Sequence, residues 1–333
     1  MAQLYTEANA GDQAARLRGV RLAVVGYGNQ GRAQALNLRD RGYDVIVGNR
    51  EDAYAEQARR DGFAVRPIDA AIRDAAVVVM VLPDEVQPEW QVAIGAMTQG
   101  QTIVFASGYN VTYGRITPPP GVDVVLAAPR MIGAAVRTNV EQGQGFPMLI
   151  GVAQDASGSA QETALAYCGA VGALLPGGVA VASSFREETL LDLFSEQTWA
   201  GAFLFLVEAC FSVLTKHGIS PEAALLELYG SGEVAEIGHA LAAHGLWEQL
   251  ALHSTTSQYG QLTRGPRYVT PELVAQLEAV LAGLADGSFA REWTAAQEEG
   301  RLGELLAARR DTALAAAEDH LYTSLGRRSG RSR

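Results

Sequence analysis

The chain has 333 residues, of which 48% are hydrophobic and 19% are charged. This composition excludes an intrinsically disordered protein and indicates two domains of ordinary size. Acidic residues outnumber basic ones by 37 to 26, a formal net charge of −11, which disfavours binding to nucleic acid or to an anionic membrane surface. The first residues lack the apolar core of a signal peptide, and Glu208 interrupts the apolar run 199–207 before it could span a bilayer. We expect a cytoplasmic protein that does not enter membranes.

Residues 20–150 alternate short runs of Val, Ile, Leu and Ala with helical stretches. The runs predict strands at residues 21–25, 44–48, 76–82, 102–106 and 123–127. Their lack of polar alternation is typical of parallel strands that are covered on both faces. Apolar spacings of three and four predict helices at 31–41 and 53–61. This succession predicts an α/β domain with a doubly wound parallel sheet.

The first predicted strand leads directly into a glycine-rich turn, after which a helix begins. The turn consists of Gly26, Tyr27, Gly28, Asn29, Gln30 and Gly31. In such a turn the first glycine permits the bend, the second lets backbone approach a diphosphate, and the third allows close packing of helix on strand. The exposed N–H groups at the helix start then bind the diphosphate of a dinucleotide.

The end of the second predicted strand bears on the choice between NADH and NADPH. Arg50 could bind a 2′-phosphate, whereas Glu51 or Asp52 would accept hydrogen bonds from a free ribose diol and repel a phosphate. Arg50 could instead be a solvated charge of the loop, and Glu51 or Asp52 could be the N-cap or a first-turn acid of the next helix. The balance favours NADH.

From residue 186 onward there is almost no strand signal, and long helical patterns predominate. We predict a Rossmann-type domain at residues 1–184, an all-α domain at 185–326 and a basic tail at 327–333. The all-α domain begins with Glu188, Asp192 and Glu196, spaced by four on a helix that is otherwise apolar through Leu214 and is expected to be buried. Stacked carboxylates in an apolar helix suit a cation, and Mg²⁺ takes one or two carboxylates and keeps several waters. A solvated acidic stripe is the alternative.

Several segments match a known family. They are VGYGNQG at 25–31, PDE at 83–85, FREET at 185–189, DLFSEQ at 192–197 and YGQLTRG at 259–265. Between about residues 17 and 265 the chain resembles the ketol-acid reductoisomerases (acetohydroxyacid isomeroreductases) in their short form. The resemblance implies a Rossmann domain followed by a helical, knotted domain that pairs with a second subunit in a homodimer or a higher even homo-oligomer. It also implies two Mg²⁺ ions and NADH or NADPH, used to migrate an alkyl group in a small carboxylate-bearing substrate and to reduce the product.

The same resemblance implies the residues of the site. Asp192 and Glu196 fall on metal ligands, Glu188 on a site carboxylate, and Ser254 on a serine that contacts substrate. The catalytic candidates are Glu188, Asp192, Glu196 and Arg130. The cofactor candidates beyond the glycine-rich turn are Arg50, Glu51, Leu82, Pro83, Ser107 and Gly133. Glu227 and Glu233, contributed by the partner subunit in the family's arrangement, are candidates for substrate contact and for a second metal.

The chain departs from the family's pattern at four places. Ser107 stands where the family has histidine, and Arg130 stands where the family has lysine, which makes this position a poor proton shuttle. Glu227 and Glu233 are six residues apart, a rotation of about 600° in regular helix, so both could face one metal only across a bulge. The cofactor loop also lacks the serines that bind a 2′-phosphate in the family.

These departures affect alkyl migration more than hydride transfer. The sequence therefore predicts a diverged reductase that transfers hydride to a C=O or C=N group, in which Arg130 binds a substrate carboxylate. Two alternatives stay open: a working reductoisomerase of branched-chain amino-acid synthesis, and a sensor that binds NAD(P)H without turnover.

Overall fold

The computed structural model describes residues 1–327, which form two compact units, Met1–Leu191 and a second unit that begins at Asp192. The border predicted from the sequence, at 184/185, falls a few residues earlier, at the start of the helix in which the unit border lies. Except for Arg327, the predicted basic tail lies outside the described residues.

Within the described residues, the first unit contains one sheet of nine strands. These are β1 Leu4–Tyr5, β2 Arg21–Val25, β3 Asp44–Gly48, β4 Ala64–Arg66, β5 Val77–Met80, β6 Thr102–Phe105, β7 Asp123–Pro129, β8 Pro147–Gln154 and β9 Val179–Ala182. Their order across the sheet is β1-β9-β8-β7-β6-β5-β2-β3-β4. The strands from β7 to β4 in this order are all parallel, β8 runs antiparallel to β7, and β1 runs antiparallel to β9.

Helices cover the sheet of the first unit. They are α1 Glu7–Ala10, α2 Asn29–Asp40, α3 Ala53–Arg60, α4 Ile68–Asp74, α5 Gln91–Gly95, α6 Tyr109–Thr112, α7 Gly133–Glu141, α8 Ala160–Val171 and the start of α9 Phe185–Ser195. Single 3-10 turns occupy Gln13–Leu17 and Gln87–Trp90. Side chains alternate across a strand, so neighbouring residues of β2 lie in different cores. Leu22 belongs to the core on one face of the sheet, and Ala23 belongs to the core on the other face. The sheet is therefore covered on both faces, which confirms the expectation drawn from its unalternating apolar strands.

The five strands predicted from the sequence are β2, β3, β5, β6 and β7, and the two predicted helices are α2 and α3. The parallel sheet is confirmed. Strands β1, β4, β8 and β9 were not predicted. Of these, β1 and β4 are two and three residues long and lie at the edges of the sheet, so they carry little sequence pattern.

A polar cluster joins the glycine-rich turn to α2 and α3. The Tyr27 hydroxyl donates to Oδ2 of Asp61 at 2.9 Å, and Arg32 Nε donates to the same oxygen at 2.7 Å. Gln57 Nε2 donates to Oδ1 of Asp61 at 2.9 Å. The hydrogen bond from Arg32 is the main reason that the pKa of Asp61 falls to about 2. The ionised Asp61 thus fixes the side chain of Tyr27 beside the turn.

The second unit is helical throughout its described residues. A π-helical turn, Glu196–Ala200, joins α9 to α10 Gly201–Lys216, and a second, Leu226–Gly230, follows α11 Pro221–Leu225. The remaining helices are α12 Glu233–His244, α13 Thr255–Arg264, α14 Pro271–Ala285, α15 Ser288–Glu298, α16 Arg301–Ala307 and α17 Ala313–Ser324, with 3-10 turns at Glu248–Leu252 and Gly265–Tyr268.

The apolar helix of the second unit is not buried within a single chain. In the continuous helix Phe185–Lys216, 11% of the most apolar 18-residue stretch is buried. Leu204 is 67% exposed and Phe205 is 62% exposed. The sequence predicted that this helix is buried, and in the single chain it is largely exposed, because the small described core of this unit, around Phe211 and Leu225, covers little of it. By length and composition alone the helix could cross a membrane, so Glu208 does not interrupt it as predicted.

Replacement of Asp61 tests the cluster beside the glycine-rich turn. Asp61→Asn should lower the free energy of unfolding at pH 7 by about 1–2 kcal/mol, because the charge-assisted bonds to Arg32 and Tyr27 weaken. A carboxyl whose pKa is lower in the folded state stabilises the fold above its unfolded value of 3.8 and loses that effect as the pH falls toward about 2. Urea unfolding of both proteins between pH 7 and pH 2 should show the difference shrinking below about pH 4. Asp69→Asn, which removes an exposed ion pair with Arg73, is the control and should have little effect at any pH.

Candidate cofactor and catalytic site

The glycine-rich turn between β2 and α2 has the geometry of a diphosphate cradle. Gly26 has φ +98°, a left-handed backbone that favours glycine. A Cβ on Gly31 would lie 2.0 Å from the carbonyl oxygen of Gly26, so only glycine permits this contact of helix and turn. A Cβ on Gly28 would meet no atom within 4 Å, which leaves open space at the helix start. The turn thus fits a dinucleotide by shape as well as by sequence.

A cavity of about 430 Å³ lies beside this turn. Eight predicted cofactor residues line it: Gly26, Tyr27, Gly28, Asn29, Gln30, Arg50, Leu82 and Pro83. Gly133 lines a neighbouring groove that shares Tyr27, Gly28 and Asn29 with the cavity, and a Cβ on Gly133 would lie 2.2 Å from the carbonyl oxygen of Asn29. Gly31, Glu51 and Ser107 do not line the cavity. The structure therefore brings most of the predicted cofactor residues together, and it adds Asp52 and Trp90.

Two ion pairs neutralise the loop that follows β3. Arg59 donates to both carboxylate oxygens of Glu51, at 2.5 and 2.9 Å, and this pairing lowers the pKa of Glu51. Arg50 Nε lies 3.3 Å from Oδ2 of Asp52. Asp52 also caps α3 by accepting the backbone N–H groups of Tyr54 and Ala55. The partner of Glu51 therefore lies outside the cavity. Asp52, the other acid that the sequence offered for the ribose, lies at the cavity wall.

The carboxylate of Glu188 joins three segments of the first unit. Its Oε2 accepts the backbone N–H of Gly108 at 2.7 Å, and its Oε1 accepts Arg130 Nη1 at 3.0 Å. Glu188 is 2% exposed, so donors such as these must replace the water that burial removes from its carboxylate. Gly108 follows β6, Arg130 follows β7, and Glu188 lies in the first turns of α9. The side chain of Arg130 is 30% exposed, which leaves the guanidinium within reach of a ligand.

A second polar group lies beside this one, at the ends of β5 and β6. Ser107 Oγ donates to Oδ2 of Asp84 at 3.2 Å. Asn110 Nδ2 donates to the carbonyl oxygen of Asp84 at 2.9 Å and to Oε1 of Gln87 at 3.0 Å. Of these residues, the sequence predicted a site role for Ser107 alone, although Asp84 lies in the matching segment 83–85. Asp84 could have been found because it follows a strand adjacent to β6, and carboxyl ends of neighbouring parallel strands meet at one edge.

The three acids of the predicted ladder differ in environment. Glu188 is buried, Asp192 is partly exposed, and Glu196 is exposed at the start of a π-helical turn. The prediction that the three acids share one buried stripe was therefore wrong. Of the three, Glu188 is the one whose charge needs partners to offset the cost of burial. Asp192 and Glu196 are one turn apart, and an oxygen donor pair of this kind fits one Mg²⁺ that keeps several waters.

The remaining candidates lie in the second unit. Glu227 is in the π-helical turn Leu226–Gly230, and Glu233 begins α12 after Gly232, whose φ is +95°. The bulge that the six-residue spacing required is thus present, but a left-handed glycine separates the two glutamates as well. Ser254 caps α13 by accepting the backbone N–H of Ser257 at 3.3 Å. Within residues 1–327, no group of three or more His, Cys, Asp or Glu side chains is placed to hold a metal ion.

Comparison with known proteins decides the family. The model of the acetohydroxy acid isomeroreductase NADPH-binding domain matches residues 16–177, and that of the ketol-acid reductoisomerase C-terminal domain matches residues 185–325. The chain belongs to the ketol-acid reductoisomerase family. This confirms the resemblance read from the motifs and the two-domain fold class. The protein is accordingly an NAD(P)H-dependent oxidoreductase with a Rossmann-like domain.

Individual relatives agree with the family assignment. "Putative ketol-acid reductoisomerase 3" of Saccharolobus solfataricus is 46% identical over 94% of this chain and 96% of its own length. "Ketol-acid reductoisomerase (NADP(+))" of Pyrobaculum calidifontis is 40% identical over 92% and 93%. The solved structure of an NADH-preferring ketol-acid reductoisomerase from an uncultured archean has a TM-score of 0.90 at 31% identity, covering 96% of this chain and 98% of that one.

An added methyl group at Gly108 tests the contact that holds Glu188. In Gly108→Ala the Cβ would lie 2.3 Å from the carbonyl oxygen of Phe185 and 3.0 Å from Oε2 of Glu188, so the start of α9 must move. We expect a loss of about 2 kcal/mol in the free energy of unfolding, measured by chemical denaturation. Gly95→Ala is the matched control, because its Cβ would meet only Gln91, at 3.8 Å. Equal stability of the two variants would contradict the proposed close packing of α9 on Gly108.

Proposed function

We propose that this family member reduces a C=O or C=N group in a small carboxylate-bearing molecule and has lost the alkyl-migration step. The observation that carries the proposal is the pairing of Glu188 with Arg130. In the family pattern a lysine occupies the position of Arg130, and Glu188 falls on a site carboxylate. Here the two are joined in an ion pair, and the second oxygen of Glu188 accepts a backbone N–H.

The pairing alters what both residues can do. A carboxylate whose two oxygens already accept hydrogen bonds, one of them from a guanidinium, is poorly placed to remove a proton from a substrate. A guanidinium stays protonated at all physiological pH values and does not shuttle protons. Migration requires proton removal from a hydroxyl group beside the migrating carbon, so this arrangement disfavours it. Anchored by Glu188, the partly exposed Arg130 suits bidentate binding of a substrate carboxylate instead.

Each residue of the site has a separate role in the reduction. The glycine-rich turn holds the diphosphate of the dinucleotide, which when bound supplies a hydride through its reduced nicotinamide ring. Arg130 binds and orients the substrate carboxylate, and Ser107, held by Asp84, lies at the adjoining strand end. In such a reduction the substrate carbon would gain the hydride, and its oxygen or nitrogen would take a proton from solvent, since no residue of the chain is assigned to donate it. Asp192 and Glu196 would hold one Mg²⁺ that keeps several waters.

A working ketol-acid reductoisomerase is the second candidate. The relatives at 46% and 40% identity carry that name, and Asp192 and Glu196 are retained. A second Mg²⁺ fits the described residues less well, because Glu227 and Glu233 are separated by a π-helical turn and a left-handed glycine. A non-catalytic sensor of NAD(P)H is the third candidate.

Two substrates distinguish these functions. 2-Acetolactate requires migration and reduction, whereas 3-hydroxy-3-methyl-2-oxobutanoate requires reduction only. With NADH, in Mg²⁺ and in EDTA, we expect oxidation with the second compound and none with the first. Arg130→Lys is the companion variant, and migration regained in it would identify Arg130 as the cause of the loss.

The other outcomes assign the remaining functions. Mg²⁺-dependent turnover of 2-acetolactate by the wild type would overturn the loss of migration. Inactivity with both compounds would leave an imine of an amino-acid-like compound as the reductase substrate to test. Inactivity with that imine as well, while NADH still binds, would favour the sensor.

NADH is the proposed cofactor. Arg50, in the loop after β3, and Arg59, in α3, each have a carboxylate partner, so a 2′-phosphate at this loop would meet guanidinium groups that are already paired. Asp52 at the cavity wall would accept hydrogen bonds from a ribose diol and repel a phosphate.

Asp52→Asn tests this preference. Removal of the charge at the cavity wall leaves Arg50, which also lines the cavity, available to a 2′-phosphate, so KM for NADPH should fall severalfold while KM for NADH changes little. Asparagine can still cap α3, so the helix start should be kept. Glu56→Gln removes one exposed charge from α3 outside the cavity and is the control. If both variants respond alike, net charge rather than the pairing of Arg50 governs the preference.

A homodimer or a higher even oligomer in the cytoplasm is proposed as the working form. The described core of the second unit is small, and its helix Phe185–Lys216 exposes large apolar side chains that a second copy would cover. Light scattering after size-exclusion chromatography without detergent should give an even multiple of the 35.3 kDa chain. Phe205→Glu should lower that mass or the yield of soluble protein, whereas Val92→Glu, at an exposed site of the first unit, should not.

A further inference from the structure

We infer that Trp90 is the aromatic platform on which the adenine ring of the dinucleotide stacks, and that it sets cofactor affinity. The inference rests on the assignment of the cavity beside the glycine-rich turn to the cofactor. It does not depend on which substrate is reduced.

The strand order gives the direction of the dinucleotide across the sheet. The turn after β2 lies between β3 on one side and β5, β6 and β7 on the other. Arg130 and Gly108, which hold Glu188, follow β7 and β6, so the reacting nicotinamide end must extend to that side. The adenosine end then extends away from β6 and β7, into the cavity that Asn49 and Asp52 line from the segment after β3 and Trp90 lines from the turn after β5.

The cavity has the chemistry of an adenosine site. Ile68, Val86 and Trp90 form an apolar wall, and Asn49 and Asp52 line the cavity as polar residues. A flat heteroaromatic base suits the apolar wall, and ribose hydroxyl groups suit the carboxylate.

Trp90 is held in place before any ligand binds. Trp90 is partly buried, packs against the apolar core that includes Ile68, Ile72 and Ile94, and also lines the cavity. It lies at the end of the 3-10 turn Gln87–Trp90, and Gln87 anchors that turn by donating to the carbonyl oxygen of Leu82 at 2.8 Å. An indole that is already held in one orientation loses little conformational freedom when a base stacks on it. Most of the stacking energy then contributes to the affinity for the dinucleotide.

The test uses ligands that contain only one end of the cofactor. ADP-ribose carries adenosine and the diphosphate, and reduced nicotinamide mononucleotide carries the nicotinamide without adenine. For Trp90→Ala, calorimetry should show about tenfold weaker binding of ADP-ribose and NADH and unchanged binding of the mononucleotide. Steady-state assays should show a raised KM for NADH with kcat unchanged at saturation.

Two further variants separate stacking from a change of fold. Trp90→Phe keeps an aromatic face and should bind ADP-ribose within about threefold of the wild type. It should also lack the quenching of tryptophan emission that ADP-ribose causes in the wild type. Val92→Ala, two residues further at an 86% exposed position outside the cavity, should bind like the wild type.

Binding of ADP-ribose to Trp90→Ala within twofold of the wild type, in a variant with unchanged circular dichroism, would overturn the inference. Equal weakening of the mononucleotide would also overturn it, because the effect would then not be specific to adenine. Failure of the wild type to bind ADP-ribose would overturn it together with the assignment of the cavity. A different reduced substrate would leave every one of these results unchanged, since ADP-ribose does not react.

Discussion

The buried carboxylate of Glu188 is the interaction on which the candidate catalytic centre depends. Burial of a charge is costly unless donors replace its water, and here a backbone N–H from the end of β6 and the guanidinium after β7 do so. The approach is so close that Gly108 cannot carry a side chain. The start of α9 is therefore tied to two strand ends, and the position of Arg130 follows from that tie.

The same principle, charge offset by an adjacent partner, operates at the cofactor end. Asp61 fixes Tyr27 beside the glycine-rich turn, and ion pairs neutralise both arginines after β3. The pairs determine what the arginines can bind, since a guanidinium held by a carboxylate attracts a phosphate less than an unpaired one. In the proposed use of NADH, cofactor preference would therefore depend on the pairs rather than on the arginines alone.

The two units differ in what a single chain can bury. The sheet of the first unit has separate cores on its two faces, whereas the described core of the second unit includes few fully buried side chains, such as Leu225. Apolar pattern in a sequence predicts that a helix will be covered, but it does not state by what. The long helix from Phe185 illustrates this, because its exposed apolar side chains are consistent with coverage by another copy.

The sequence alone determined the glycine-rich turn, five of the strands and the family. These features depend on the spacing of apolar residues and on the glycines that a tight turn requires, and both are visible in short stretches of consecutive residues. It also located Arg130 and Glu188, though 58 residues separate them and no spacing rule predicts their contact. Only the tertiary structure decided that they pair, that Asp84 lies beside Ser107, that Glu51 pairs with Arg59, and that Trp90 lines the cavity. Each of these contacts joins residues that are distant or differently oriented along the chain, and the sheet order and helix packing that bring them together are properties of the whole fold.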